Sequence, residues 1–193
     1  MYVSGLTGAK QSIRQVLFLI LMTLCMSATY AAGIDVGKTE TRLAEDVYLL
    51  NADIYYTLSD EVLEALENGV IITMQVAIRV ERVREYLWNE RIDEQILRYQ
   101  LQYHALSGQY LVESLDSTES QSYLSLASAL RVIGTIRDLP LLEQTKVREG
   151  EHYQVQLRSE LDTNSLPAPL RPLAWLSSGW LLHSEWVTCP LRS

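Results

Sequence analysis

Three histidines, His104, His152 and His183, are the chain's whole supply of the side chain that most often moves protons or holds metals near neutral pH. None stands at a zinc-type spacing from a second His or a Cys. His183 and Glu185 would share one face of a strand, where a partner strand could complete a metal site. A surface His beside a surface acid is the commoner meaning of that pattern. Gly33-Ile34-Asp35-Val36-Gly37-Lys38-Thr39 has the outline of a phosphate-binding loop, but it is one residue short and has Ala32 where a Gly is needed. No Gly-x-Ser-x-Gly elbow occurs, and a triad assembled across the fold leaves no spacing to find, because triads are defined by geometry. The carboxylates Asp60-Glu61, and Glu143 with Glu149, read as solvated surface. These residues assign no catalytic site, metal or cofactor, and the expectation is a protein that is not an enzyme.

The arginines say more. Beyond residue 31 the only lysines are Lys38 and Lys146; every other basic residue is Arg. Arg79, Arg82, Arg84, Arg91 and Arg98 interleave with Glu81, Glu85, Glu90, Asp93 and Glu94. Cross-strand ion pairs are the expected use of that pattern. A surface recognising an acidic partner is the sharper alternative, since Arg pairs bidentately and stacks on aromatics. Trp and Arg are enriched at binding hot spots, so Trp88 and Trp175, with nearby Arg84 and Arg171, form the expected partner surface. Trp175 qualifies because it falls in a Pro-rich connector with little scaffold to bury it. Trp180 and Trp186 share an even spacing with Leu182 and are expected in the core.

Residues 1–31 read as a cleavable secretory signal. Lys10 and Arg14 stand without any acid, the apolar run 16–26 follows, and small residues close the segment. Thr29 and Ala31 suit cleavage after Ala31, and cleavage after Ala32 is nearly as good. The run falls short of the about 20 apolar residues that a spanning helix needs. Leu24, immediately before Cys25, is too large for a lipobox. Removing Lys10 and Arg14 leaves 14 basic residues against 24 acidic ones, a net charge of −10. A chain so acidic repels phosphate backbones and, by charge alone, anionic membrane surfaces. Cys189 is then the only Cys, so no intramolecular disulfide can form, although a free thiol near the C-terminus could bridge two molecules in an oxidising compartment. The only Phe, Phe18, leaves with the signal.

The elements that must position these residues are predicted from periodicity. After a linker over 32–42, a single β-rich domain is expected over 43–193. Residues 46–57 alternate as a strand through Tyr48, Leu50, Ala52, Ile54 and Tyr56. Ser59 caps a short helix that ends at Gly69. Val70 to Val80 is the clearest strand, and Val83 falls out of phase, which a bulge near Glu81–Arg82 would explain. Residues 92–104 and 110–115 form an antiparallel hairpin about Ser107-Gly108. Residues 116–122 are a polar loop and helix start, where Thr118 and Gln121 match a capping box; that helix runs through Leu130 and ends at Gly134. Tyr153, Val155 and Leu157 mark another strand. Leu166-Pro167-Ala168-Pro169-Leu170 is an extended connector, and residues 180–187 are the last strand. The order β-α-β-β-β-α-β-β implies a β-dominated α+β fold, a mainly antiparallel sheet or sandwich with two short helices packed on it.

Several of these residues, taken in order, resemble an uncharacterised proteobacterial family labelled domain of unknown function 4390. They are Ala65-Leu66-Glu67-Asn68-Gly69-Val70; Arg79, Arg82 and Arg84 leading to Leu87-Trp88; Tyr99 and Tyr110; Ala129-Leu130; Tyr153; Arg158 with Leu161-Asp162; Leu166-Pro167-x-Pro169-Leu170; and Ser184-x-Trp186. The resemblance covers about residues 45–187. It implies an exported periplasmic or secreted protein and genes lying beside a membrane sensor kinase of the nitrogen-regulation type. The expected function is therefore binding, with an envelope protein or a sensor ectodomain as partner, no nucleic acid, and no transmembrane segment after signal cleavage. A lipid or small-molecule carrier, with sheet faces lining a pocket, is the alternative, and a hydrolase the third reading.

Overall fold

The computed structural model describes residues 32–117 and 119–192. Residues 1–31, read from sequence as a signal, and Thr118, read as a capping residue, lie outside the described residues. Two antiparallel sheets dominate. The first has the order β1-β2-β7, with β1 Gly33–Ala44, β2 Val47–Thr57 and β7 Thr135–Glu143. The second has the order β6-β5-β4-β3-β8-β9. Its strands are β3 Ile72–Val83, β4 Glu90–His104, β5 Gln109–Ser114, β6 Ser120–Tyr123, β8 His152–Leu161 and β9 Val187–Pro190. Helices α1 Asp60–Glu67, α2 Leu126–Ile133 and α3 Arg171–Leu176 complete the fold. The expected β-dominated α+β class is the observed one, with three helices rather than two among the described residues.

Both sheets turn apolar faces into one core. Tyr48, Leu50, Ala52 and Ile54 of β2 meet the Ile72, Met74, Val76, Ile78 and Val80 series of β3, with Val155 and Leu157 of β8 beside it. Val62 and Leu66 of α1, and Ala129 and Ile133 of α2, are buried in the same cluster. Burial of such a contiguous apolar set is the main favourable term in folding.

Local signals explain α1. Ser59 Oγ accepts the Val62 N–H at 3.2 Å, and Asp60 and Glu61 sit at the positive end of the helix. Past the cap at Asn68, Gly69 turns the chain with φ +82°, as expected at a helix C-terminus. A Cβ there would touch nothing within 4 Å, so the cost of a side chain is backbone strain alone. Gly69→Val is expected to lower stability by about 1–3 kcal/mol, read as the shift of a urea or thermal midpoint.

Several expectations need correction. Residues 33–42 of the segment read as a linker belong to β1, which pairs antiparallel with β2 from Gly33↔Thr57 to Ala44↔Val47. As an edge strand β1 buries only Ile34 and Thr41, so its alternation is weak. The register slip lies where expected along β3, between Val80 and Glu81, but the extra residue is Ile92 of β4. Strand β3 runs unbroken against β8, and Val83 is out of phase because it is exposed on the outer side. Within the segment read as a helix start, Ser120–Tyr123 form strand β6; α2 begins after Ser125, whose Oγ accepts the Ser128 N–H at 3.2 Å. Strand β7 carries no legible alternation because Asp138 has φ +51° and Pro140 interrupts the ladder. Residues 180–186 bury Trp180, Leu182 and Ser184 alternately, but their ladder pairing with β8 is limited to the isolated bridge His183↔Glu160. Regular pairing begins at Val187.

Candidate functional site

The arms of β3 and β4 continue beyond the sheet into a hairpin whose tip is Tyr86-Leu87-Trp88. The arms are braced by charge. Glu90 accepts from both Arg82 and Arg84, and Arg82 also faces Glu151 at 3.8 Å. The Arg84 and Arg82 guanidiniums hold the Glu90 carboxyl below its ordinary range. One register further in, Glu94 takes Arg79 at 2.6 Å and Arg91 at 2.8 Å, and Arg79 lies 4.3 Å over the Trp186 ring. Arg79, Arg82 and Arg84 thus form ion pairs across the hairpin, the expected use, whereas Arg91 pairs with Glu94 along its own strand and Arg98 makes no ion pair among the described residues.

At the tip the pattern inverts. Tyr86 and Trp88 are each 92% exposed and Leu87 66%. Three consecutive large apolar groups in water, at the end of a braced hairpin, leave apolar area that a partner would cover.

Arg84 and Trp88 therefore lie in the same hairpin loop, Arg84 turned to Glu90. Arg171 and Trp175 form a second, separate pair on α3, where Arg171 Nε donates to the Leu166 carbonyl at 2.8 Å. Trp175 stands 63% exposed beside Leu173 and Leu176. It rides on a short helix with Pro172 in its first turn, not on an extended connector. Helix α3 packs on the turns Thr163–Ser165 and Ser178–Trp180, and the first of these is tied to the Ile72 end of β3 by Asp162 N–H donating to Thr73 O at 2.8 Å. Trp88 lies past the Val83 end. A strand of this length spans roughly 35 Å, so the four residues do not make one surface.

The remaining reactive groups are accounted for locally. Ser159 Oγ and Tyr56 Oη are 2.9 Å apart, and burial pushes the Tyr56 phenol above its ordinary value. Ser184 Oγ accepts the Ser159 N–H at 3.0 Å and donates to the Glu185 carbonyl at 2.9 Å. His104, His152 and His183 are all exposed. Among the described residues no group of three or more His, Cys, Asp or Glu could hold a metal, and no helix is long and apolar enough to cross a membrane. Cys189 is buried, and that burial raises its thiol pKa, which works against the intermolecular disulfide considered from sequence.

One feature escaped the sequence reading. A groove of about 860 Å³ opens between β2, α1 and α2, lined by Ile54, Tyr55, Leu58, Leu63, Leu126 and Leu130. Arg131 and Arg137 are exposed at its edge. Arg137 is paired with Asp53 and donates to the Ala52 carbonyl at 3.0 Å; Arg131 makes no ion pair among the described residues. Three segments distant in sequence build this groove, so no local pattern announces it.

A family model described as Domain of unknown function (DUF4390) matches residues 31–190. No curated protein and no solved structure matches the chain.

Proposed function

The chain belongs to the DUF4390 family, and for this member we propose a non-enzymatic exported protein of the bacterial envelope that works by binding a protein partner through the tip of the β3–β4 hairpin. The observation that carries this reading is the exposure of Tyr86, Leu87 and Trp88 on arms already held by Glu90 and Glu94. Bracing before contact lowers the ordering cost of association. Tyr and Trp supply large contact area with few rotatable bonds.

Charge favours a protein over a lipid or nucleic-acid partner. The hairpin arginines are taken up by glutamates, so the tip presents aromatic surface without a basic field. A membrane sensor's ectodomain is the most concrete partner. Two positions support export with cleavage: the family match starts at residue 31 and β1 at Gly33, so removing residues 1–31 or 1–32 leaves the sheet whole.

Capture of envelope proteins by the purified chain tests the proposal. Trp88→Ala is expected to weaken capture of a specific partner by at least about tenfold, the scale of an aromatic hot spot, with no change in melting temperature. Trp175→Ala is the comparison, at the opposite end of β3. Equal capture by wild type and a Tyr86→Ala/Trp88→Ala double variant would remove the tip from the interface. Intact mass of the exported protein is expected to place its N-terminus at residue 32 or 33; a mass that still includes residues 1–31 would make it an anchored protein instead.

A further inference from the structure

The groove between β2, α1 and α2 is a second site, independent of the hairpin tip. Its floor and walls are apolar, from Ile54 and Leu58 of the β2 end, Leu63 of α1, and Leu126 and Leu130 of α2. Its volume, about 860 Å³, lies within the about 300–1,000 Å³ typical of small-ligand sites. The sheet faces themselves are closed on each other, with Leu50, Met74, Val76 and Leu157 fully buried, so a ligand between the sheets has no room.

Charge selects the class of ligand. The chain beyond residue 31 is strongly acidic, and among the described residues most arginines near carboxylates are paired. Arg98, Arg131, Arg148, Arg171 and Arg192 form no ion pair among the described residues, and of these only Arg131, in the last turn of α2, lines the groove. Arg137, also at the edge, is already neutralised by Asp53. One uncompensated guanidinium beside an apolar trough matches a molecule with one anionic head and one apolar tail. A guanidinium takes a carboxylate through two parallel N–H donors.

We propose that this groove binds a single-chain fatty carboxylate, its tail along Leu63, Leu126 and Leu130 and its head on Arg131.

Titration calorimetry and native mass spectrometry of the purified chain with dodecanoate test this, with dodecanol as the uncharged probe of equal length. Saturable binding of one dodecanoate is expected, at least about tenfold tighter than dodecanol. Arg131→Gln is expected to bring dodecanoate down to the level of dodecanol. Ala127→Trp, at an exposed lining position of α2, is expected to abolish binding of both. Neither position is buried, so unchanged melting curves are expected to accompany both losses. Absence of saturable dodecanoate binding, or binding unaltered in both variants, overturns the site. Dodecanol binding as tightly as dodecanoate overturns the carboxylate head.

Discussion

Gly134→Ala is expected to destabilise the protein by about 3 kcal/mol or more, a large overpacking effect joined to a lost buried hydrogen bond. The cause is proximity, since Gly134 has an ordinary helical φ of −82°. It closes α2 directly against β2: the Ile54 N–H donates to the Gly134 carbonyl at 2.7 Å. A Cβ on Gly134 would stand 2.0 Å from the Ile54 carbonyl oxygen and 3.0 Å from its carbon. Both atoms are backbone in the middle of the core strand, so neither can rotate away. Relief requires α2 to back off, which breaks the hydrogen bond and opens the packing of Ala129 and Ile133. For a domain of this size such a loss is roughly 10 °C in melting temperature. Gly33→Ala is the control, because a Cβ there meets nothing within 4 Å. A Gly134→Ala protein that melts with the wild type would mean that α2 does not sit against β2.

Trp180→Ala is expected to cost about 3–5 kcal/mol, the range for deleting a buried large aromatic, whereas Trp175→Ala, five positions earlier, is expected to change stability by less than about 0.5 kcal/mol. Trp180 is 6% exposed and belongs to the core cluster. It closes the turn Ser178–Trp180, which is pinned to the start of α1 by Ser59 Oγ donating to the Gly179 carbonyl at 2.8 Å. Directly after it, Leu182 O accepts the Leu161 N–H at 2.9 Å. Emptying that position removes the packing that holds the chain end against α1 and β8. Trp175 faces solvent from α3 and leaves no cavity behind. Chemical denaturation of the two variants separates them, and equal midpoints would mean that the Trp180 ring is not part of the core.

The elements legible from sequence are those whose causes lie within a few residues. Ser59 and Gly69 mark α1 because a cap and a left-handed stop are local events. Strand β3 is legible because it is central, with five alternate apolar side chains buried against the other sheet. The pairing of Arg79, Arg82 and Arg84 with Glu90 and Glu94 across the hairpin is legible because one hairpin supplies both sides. Strands β1 and β7 are not. Each is an edge of the small sheet, formed because β2 offers a partner, and edge strands bury too little to impose alternation. In β7, Asp138 and Pro140 break the pattern further.

The site divides along the same line. That Trp88 stands exposed between charged arms follows from local alternation and charge. That Trp175 and Arg171 lie at the other end of β3 does not, because their position is set by contacts of α3 with turns at residues 163–165 and 178–180 and, through Asp162, with Thr73. The groove that ends at Arg131 is likewise built from segments near residues 54, 63 and 130. The β-rich class, the capped helix α1 and the ion-paired hairpin are set by neighbours along the chain, and the acidic character of the domain by composition. Folding settles which residues share a surface, where an apolar groove stays open, and that Trp186, expected in the core with Trp180, is only partly buried under Arg79, because those depend on which distant segments pack together.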